Sequence, residues 1–323
     1  MATPAATALS TLVVARESSW GVLGGSPKKY QLQFNSSSMS ASQGSADNNA
    51  ISGDRNPRDS VLLRKDAGGE IAFYIGKKSF PWWLNMVLGG LTTTGAADPW
   101  THTFKVGASL PTFQIEEKFA LAAPHYLLYA GCIANTLSMS GGPDGLKEAR
   151  VGVIAKDGTP SAVQTLTTPT DWTDEVIADD SMAAAADVKF NGSAFAEMAS
   201  FDLSFSNNVI ADDYRMGTLY RGSVIPRRAS LTGNLRVIFE SLTAYNLAVA
   251  GTKTNFDVKW TLGGGHSLQV VVPRITLERK DPQISGDGLV YLDLPYKASK
   301  DGTEQSAIKV VMLNDQAGTI YAA

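Results

Sequence analysis

The sequence holds a single cysteine, Cys132, among 323 residues. One thiol excludes an internal disulfide framework and suits assembly in a reducing compartment. Histidine is nearly as scarce. His102, His125 and His266 are the only three, and none stands at metal-ligand spacing from another histidine or from Cys132, which argues against a zinc site. Lysine and arginine never gather into a run, and the formal charge of −3 leaves no electrostatic footprint for gripping nucleic acid or an anionic membrane. No stretch approaches the roughly 20 apolar residues needed to span a bilayer; residues 82–91 are the most apolar and are far too few. No lysine or arginine precedes Arg16, so the charged start of a secretory leader is missing. The expectation is a soluble protein made in the cytoplasm, with no membrane insertion.

Catalytic signatures are also lacking. Gly76-Lys77-Lys78-Ser79 has no upstream glycine at the spacing of a phosphate-binding loop and reads as a turn. Gly263-Gly264-Gly265 joins two strand-like runs with no helix after it, so it is a turn rather than a dinucleotide fingerprint. No Gly-x-Ser-x-Gly elbow occurs. Cys132 and His125 are close enough in sequence to suggest a thiol nucleophile and its base, but a buried strand cysteine and a surface histidine are the better account. The acid pairs Glu116-Glu117, Asp179-Asp180 and Asp212-Asp213 alternate faces or sit in loops and read as solvated charge, not as general acid and base. No catalytic, cofactor-binding or metal-binding residue is assigned, no cofactor is expected, and the chain is not expected to be an enzyme.

What the chain does have is one β-rich order stated twice. With 44% hydrophobic residues it can bury a core, and its 30 glycines and 14 prolines suit a turn-rich β architecture. In the first half, Ser38-Met39-Ser40-Ala41-Ser42 leads through a polar stretch, residues 43–57, to Ser60-Val61-Leu62-Leu63. Gly69-Glu70-Ile71-Ala72-Phe73-Tyr74-Ile75 follows, then a helix-like aromatic segment from Ser79 to the Gly89-Gly90 pair. In the second half, Phe201-Asp202-Leu203-Ser204-Phe205-Ser206 leads through a loop ending near Pro226 to Arg228-Ala229-Ser230-Leu231. Gly233-Asn234-Leu235-Arg236-Val237-Ile238-Phe239 follows, then a helix-like segment, residues 242–250, that stops at Gly251. Strand, long polar loop, strand, glycine, strand, short helix and glycine recur in that order.

Ser79 is placed to cap the first helix, and Trp82, Trp83, Met86 and Val87 form its apolar face; Tyr245, Ala248 and Val249 form a milder one in the second. Further alternating runs follow in each half, from Phe113 and from Phe256. The first half is the longer, with its extra residues expected near 91–102. The expected organisation is an N-terminal arm (1–29), a first β domain (30–158), a linker or excursion (159–187), a second β domain (188–302), and a C-terminal strand and tail (303–323). Long polar loops at equivalent places, 43–57 and 208–226, favour a shared function.

Glu17-Ser18-Ser19-Trp20-Gly21, the Gly69 strand leading into Trp82-Trp83-Leu84 and Gly89, and above all Tyr129-Ala130-Gly131-Cys132-Ile133-Ala134-Asn135 before Leu137-Ser138-Met139 carry a family resemblance. Phe201–Asn208 with Leu231-Thr232-Gly233-Asn234-Leu235 extends it. Over about residues 16–300 the chain resembles the tail tube (major tail) proteins of long-tailed bacteriophages. The resemblance implies a mainly β fold of two tandem tube-like β-sandwich or half-barrel domains, each with a short flanking α-helix. It also implies a virion protein, assembled in the host cytoplasm, that pairs with itself into stacked rings forming the conduit for DNA delivery. Two domains per chain favour homotrimer rings with pseudo-sixfold symmetry, a hexamer being the alternative. The implied partners are further copies of the chain, a tape measure protein and tail terminator or tip proteins, while double-stranded DNA passes without specific binding. The competing reading is a β-sandwich decoration or adhesion protein that binds a host glycan through exposed aromatics, with Trp20, Trp100 and Trp172 as candidates.

Overall fold

Alternation of apolar and polar residues resolves into strands along the whole chain. A computed structural model describes residues 7–51, 53, 55–56, 58–143, 145–172, 176–177, 187–284, 288–318 and 320–321. The first half begins with β1 (Thr11–Ser19), β2 (Val22–Leu23), β3 (Lys29–Leu32), β4 (Ser36–Ser37), β5 (Ser40–Ala46) and β6 (Val61–Tyr74). Helix α1 (Ser79–Leu88) is followed by β7 (Gly89–Thr94), β8 (Trp100–Val106), β9 (Phe113–Phe119) and β10 (His125–Gly141). Next come β11 (Glu148–Ala155), β12 (Asp157–Ser161) and β13 (Thr170–Asp171). The second half contains β14 (Val188–Phe190), β15 (Ser193–Ala194), β16 (Met198–Ser206), β17 (Ser230–Ile238) and α2 (Thr243–Ala250). It continues through β18 (Thr254–Thr261), β19 (Ser267–Leu277), β20 (Tyr291–Ala298) and β21 (Lys309–Asn314).

Antiparallel pairing runs β5–β6–β11–β10–β9–β1–β3 in the first half. In the second it runs β16–β17–β20–β19–β18–β14–β15. Among the described residues two strand pairings connect the halves. The last part of β10 pairs with β16, from Thr136 opposite Ser206 to Gly141 opposite Phe201. β21 lies between β19 of the second half and β8 of the first. The β7–β8 hairpin has no counterpart between α2 and β18, and it accounts for extra length in the first half.

A single hydrophobic cluster draws on both halves. All ten residues of α1 are buried, and Trp82 and Trp83 pack on Phe113 and Phe73 at ring separations of 5.3 and 5.5 Å. In the second half Phe256, Val258 and Trp260 point inward from β18 while the residues between them do not. Gly89 ends α1 in the left-handed conformation with φ 72°, donating its amide hydrogen to the Asn85 carbonyl.

Several expectations need correction. Ser79 does not cap α1; it is the first helical residue, and Lys78 before it makes no side-chain cap bond. In α2 the buried residues are Ala244 and Ala248, while Val249 is exposed, because this short helix covers the core with one narrow edge. The stretch expected as an arm contains β1, which lies between β3 and β9 and is buried on both faces. Leu12 and Val14 join the main core, while Val13 and Ala15 pack with Leu166. The expected linker is also tied down: β12 pairs with β10, β13 pairs in parallel with β3, and Trp172 and Ile177 are buried. Residues 173–175 and 178–186 of that stretch lie outside the described residues.

Two glycines hold equivalent places. A Cβ on Gly69 would collide with the backbone of Ser38 and Met39, and one on Gly233 would collide with the Asp202 carbonyl. Gly69→Ala and Gly233→Ala are each expected to lower stability by about 1–3 kcal/mol, the usual cost of forcing extra volume into a packed site. Urea denaturation of the two variants checks this; a loss at only one position would break the equivalence.

Candidate functional site

The polar side chains that could carry chemistry serve mainly as braces. Cys132 is fully buried in β10, its thiol points at the Tyr129 carbonyl 3.4 Å away, and burial pushes its pKa well up. His125 is on the same strand seven positions earlier, about 23 Å away at the usual rise per residue, and packs against Phe119. The two do not meet as nucleophile and base. Glu116 and Glu117, read as solvated charge, are buried on β9. Glu116 accepts the amide hydrogens of Thr165 and Leu166 at 2.6 and 2.9 Å, fastening the segment after β12, and burial raises the Glu117 pKa. Glu17 likewise accepts from the amides of Gly21 and Gly131 at 2.9 and 2.8 Å. Asp213 is held by Arg215 and Ser223 in the loop after β16. Asp179 and Asp180 lie outside the described residues.

His102 anchors the C-terminal segment. It is fully buried on β8, with Nδ1 3.0 Å from the Thr93 hydroxyl and Nε2 within 3.0–3.1 Å of the Gln316 carbonyl and Asn314 Oδ1. These partners fit a neutral ring protonated on Nε2. Asn314 Nδ2 donates in turn to the Lys77 carbonyl and to the Tyr321 hydroxyl, and Asn85 donates to the Tyr321 carbonyl at 2.6 Å. Burial holds the His102 pKa below the ordinary imidazole value.

Of the aromatics proposed for a glycan surface, Trp172 is buried and stacks on Tyr30 at 4.0 Å. Trp20 and Trp100 are half-buried, Trp20 lying over Gly131. The three do not form an exposed cluster, because the ring of Trp172 fills a gap in the core.

The outward-facing features are loops and edges. The loop between β16 and β17 folds back across β6 of the first half. Arg221 donates to the carbonyls of Ala155 and Ala67 at 2.7 and 3.2 Å and pairs with Asp66 at 2.6 Å. Lys65 donates its amide hydrogen to the Leu219 carbonyl at 2.9 Å. On the strand and the loop that meet here, Val61, Leu62, Met216, Leu219 and Ile225 expose apolar side chains, with Met216 wholly exposed. At the seam between the halves, buried Asn207 donates to the carbonyls of Val87 and Ala134 at 2.8 and 3.0 Å. Sequence reasoning missed Arg221, and it named Glu17 and Asn207 only within motifs that carry the resemblance, with no bracing role, since a lone polar residue in a turn or strand has no periodic signature to distinguish it.

These features place the chain in a β-rich class, with chemistry-bearing groups turned inward as braces and loops and strand edges presented outward. The family model for phage tail tube proteins matches residues 7–298, and the chain belongs to that family. It is therefore a structural component of the bacteriophage tail, and the family implies self-assembly there with other tail proteins. Comparison with curated proteins gives no match.

The His102 anchor makes stability depend on pH. Its folded pKa is depressed, so as pH falls through the unfolded value near 6.5 the unfolded chain takes up a proton that the folded chain resists. Stability should fall from pH 7.5 to 5.5, and His102→Gln should remove part of that fall, measured as the urea midpoint at both pH values. An unchanged pH difference would show that the ring does not carry this linkage.

Proposed function

We propose that this chain builds the tail tube itself: three chains close into a ring, rings stack, and the bore conducts DNA into the host cell. Each chain would supply two tube-like units, about residues 30–158 and 188–302, so three chains give a pseudo-sixfold wall. The observation that carries this reading is the joint between β10 and β16, in which one half adds edge to edge to the other in a continuous sheet. Repeated between chains, such a joint would remove free strand edges that otherwise invite aggregation. The formal charge of −3 and the absence of a basic run suit a wall that lets phosphates slide past, because clustered cations would hold DNA through counterion release. Tape measure and terminator or tip proteins are the expected partners inside and at the ends of the tube, with assembly in the host cytoplasm.

Negative-stain electron microscopy of the purified protein should yield hollow rings or tubes, and averaged end views should divide into three chains of two units each. Rings of six chains, each contributing one unit to the bore, would overturn the trimer.

The exposed apolar side chains near the two long loops are proposed as ring-to-ring contacts. Shortening the connection between Ala46 and Val61 to a tight turn should leave a folded, soluble chain that no longer forms tubes. Circular dichroism checks the fold and microscopy the assembly; tubes of normal length would refute the assignment.

A further inference from the structure

The two halves correspond closely enough to be aligned residue by residue. Ser38 Oγ accepts the amide hydrogen of Glu70 at 2.9 Å, and Asp202 Oδ1 accepts that of Asn234 at 3.1 Å. Gly69 opposes Val153 in one half, and Gly233 opposes Tyr296 in the other. On the next strand Ile154 opposes Ile133, and Lys297 opposes Thr276. The ladder even slips at the same place. Ile115–Tyr129 is followed by Phe113–Cys132, and Phe256–Val272 by Thr254–Ile275. Met39 therefore corresponds to Leu203, Ser40 to Ser204, Ile133 to Thr276 and Ser138 to Asp281.

One pairing lacks its counterpart. β10 has 17 residues, and its end pairs with β16, with Ser138 opposite Ser204. β19 has 11 residues and stops at Leu277. The residues equivalent to the end of β10 are 279–284, and among the described residues they belong to no strand pairing. The equivalent of β16 is β5. β16 is paired along both edges, whereas β5 pairs only with β6 among the described residues.

We propose that residues 279–283 of one chain pair antiparallel with residues 42–38 of a second copy, Asp281 opposite Ser40, repeating between chains the joint that β10 and β16 make within one. The proposal rests on the ring reading above and supplies its head-to-tail contact. Each chain offers one such edge and one such segment, so copies add heterologously until a ring closes. The edge of β5, Ser40-Ala41-Ser42-Gln43, is small and uncharged, and its exposed backbone groups can accept another strand. The joint within the chain extends by one bond from the Asn207 amide to the Asn135 carbonyl at 2.8 Å. Its counterpart is Gln43 to Glu278.

The mismatches fall at one residue pair, Met39 and Pro282; the Met39 amide hydrogen already goes to the Ser37 hydroxyl oxygen at 3.2 Å, so it asks nothing of the incoming strand. Pro282 stands where Met139 does and has no amide hydrogen to give the Met39 carbonyl. That carbonyl already accepts the Tyr129 hydroxyl at 2.9 Å. A residue without a donor thus faces an acceptor that has one.

Disulfide trapping tests both the joint and its register. Ser40 and Asp281 would face each other on the outer side of the sheet, at a separation within reach of a disulfide. Native Cys132 is fully buried and should stay silent. The double variant S40C/D281C, assembled into tubes and then oxidised, should yield covalent species up to three chains, and S42C/R279C should do the same if the first variant folds poorly. S40C/K280C, shifted by one residue so that the thiols lie on opposite faces, should cross-link at least tenfold less. Tubes that form but cross-link no better than the shifted control would overturn this joint and leave the tube reading standing. Cross-linked oligomers without tubes would support the joint and count against the tube. Folded chains with neither would overturn both.

Discussion

The antiparallel pairing of β10 with β16 is the contact on which the rest of the molecule depends. β10 is 17 residues long and changes partners midway. Its first part lies between β9 and β12, and its last part between β11 and β16. The change of partners coincides with irregular register at Tyr129–Cys132 and at Ala134–Thr136. Such irregularities bend a strand and re-aim it. One strand can thereby serve as the core of the first half and as the edge that receives the second. The glycine at 131, with φ 62°, sits at the first irregularity, and Glu17 accepts its amide hydrogen. A buried carboxylate thus satisfies a backbone group that the irregular ladder does not.

A second joint keeps that arrangement from hinging. β21 threads between β19 and β8, and the residues after it return to the first half through Asn314, Gln316 and Tyr321. The donors and acceptors in this cluster are matched across His102, Asn314, Asn85 and Tyr321. A buried network of this kind adds little net stability per bond, but breaking any member strands its neighbours in a medium that cannot hydrate them. Its effect is to specify where the C-terminal segment sits. With both joints in place the halves share one core, which fits the presence of α1 residues and β18 residues in the same cluster.

The order of elements was legible in the sequence because period-two alternation and glycine stops are local. β16, β18 and both helix ends fall where those signals put them, but the runs expected as two strands either side of Gly69 and of Gly233 are each one continuous strand, β6 and β17, because a glycine inside a paired ladder need not break it. β1 was not legible as a strand of the sheet. Leu12-Val13-Val14-Ala15 is buried on both faces, so it shows no alternation. Trp172 and Glu116 were misread for a related reason: an aromatic or acid in a polar neighbourhood suggests the surface, and only tertiary contacts with Tyr30 and with the amides of Thr165 and Leu166 bring them inside. The candidate assembly surface was half legible. The long loops announced themselves, but the serine-rich β5 edge did not, because its chemistry lies in the backbone, which every sequence shares.

A tube protein differs from an enzyme in what its contact sites require. An active site must concentrate distinctive side chains, and composition alone often betrays it. A strand edge needs only small residues that leave the ladder accessible, and its partner needs only a segment free to join it. What identifies such a site is a pairing present in one half and missing in the other. β16 and β5 are equivalent in position and in their bond to the following strand, yet among the described residues β16 has a second neighbour and β5 has none. Were the absence a defect, the edge would be expected to carry the usual guards of lysine or proline, and residues 40–46 contain neither. An unguarded edge with an internal precedent for how it is filled is what the proposed joint between copies would use.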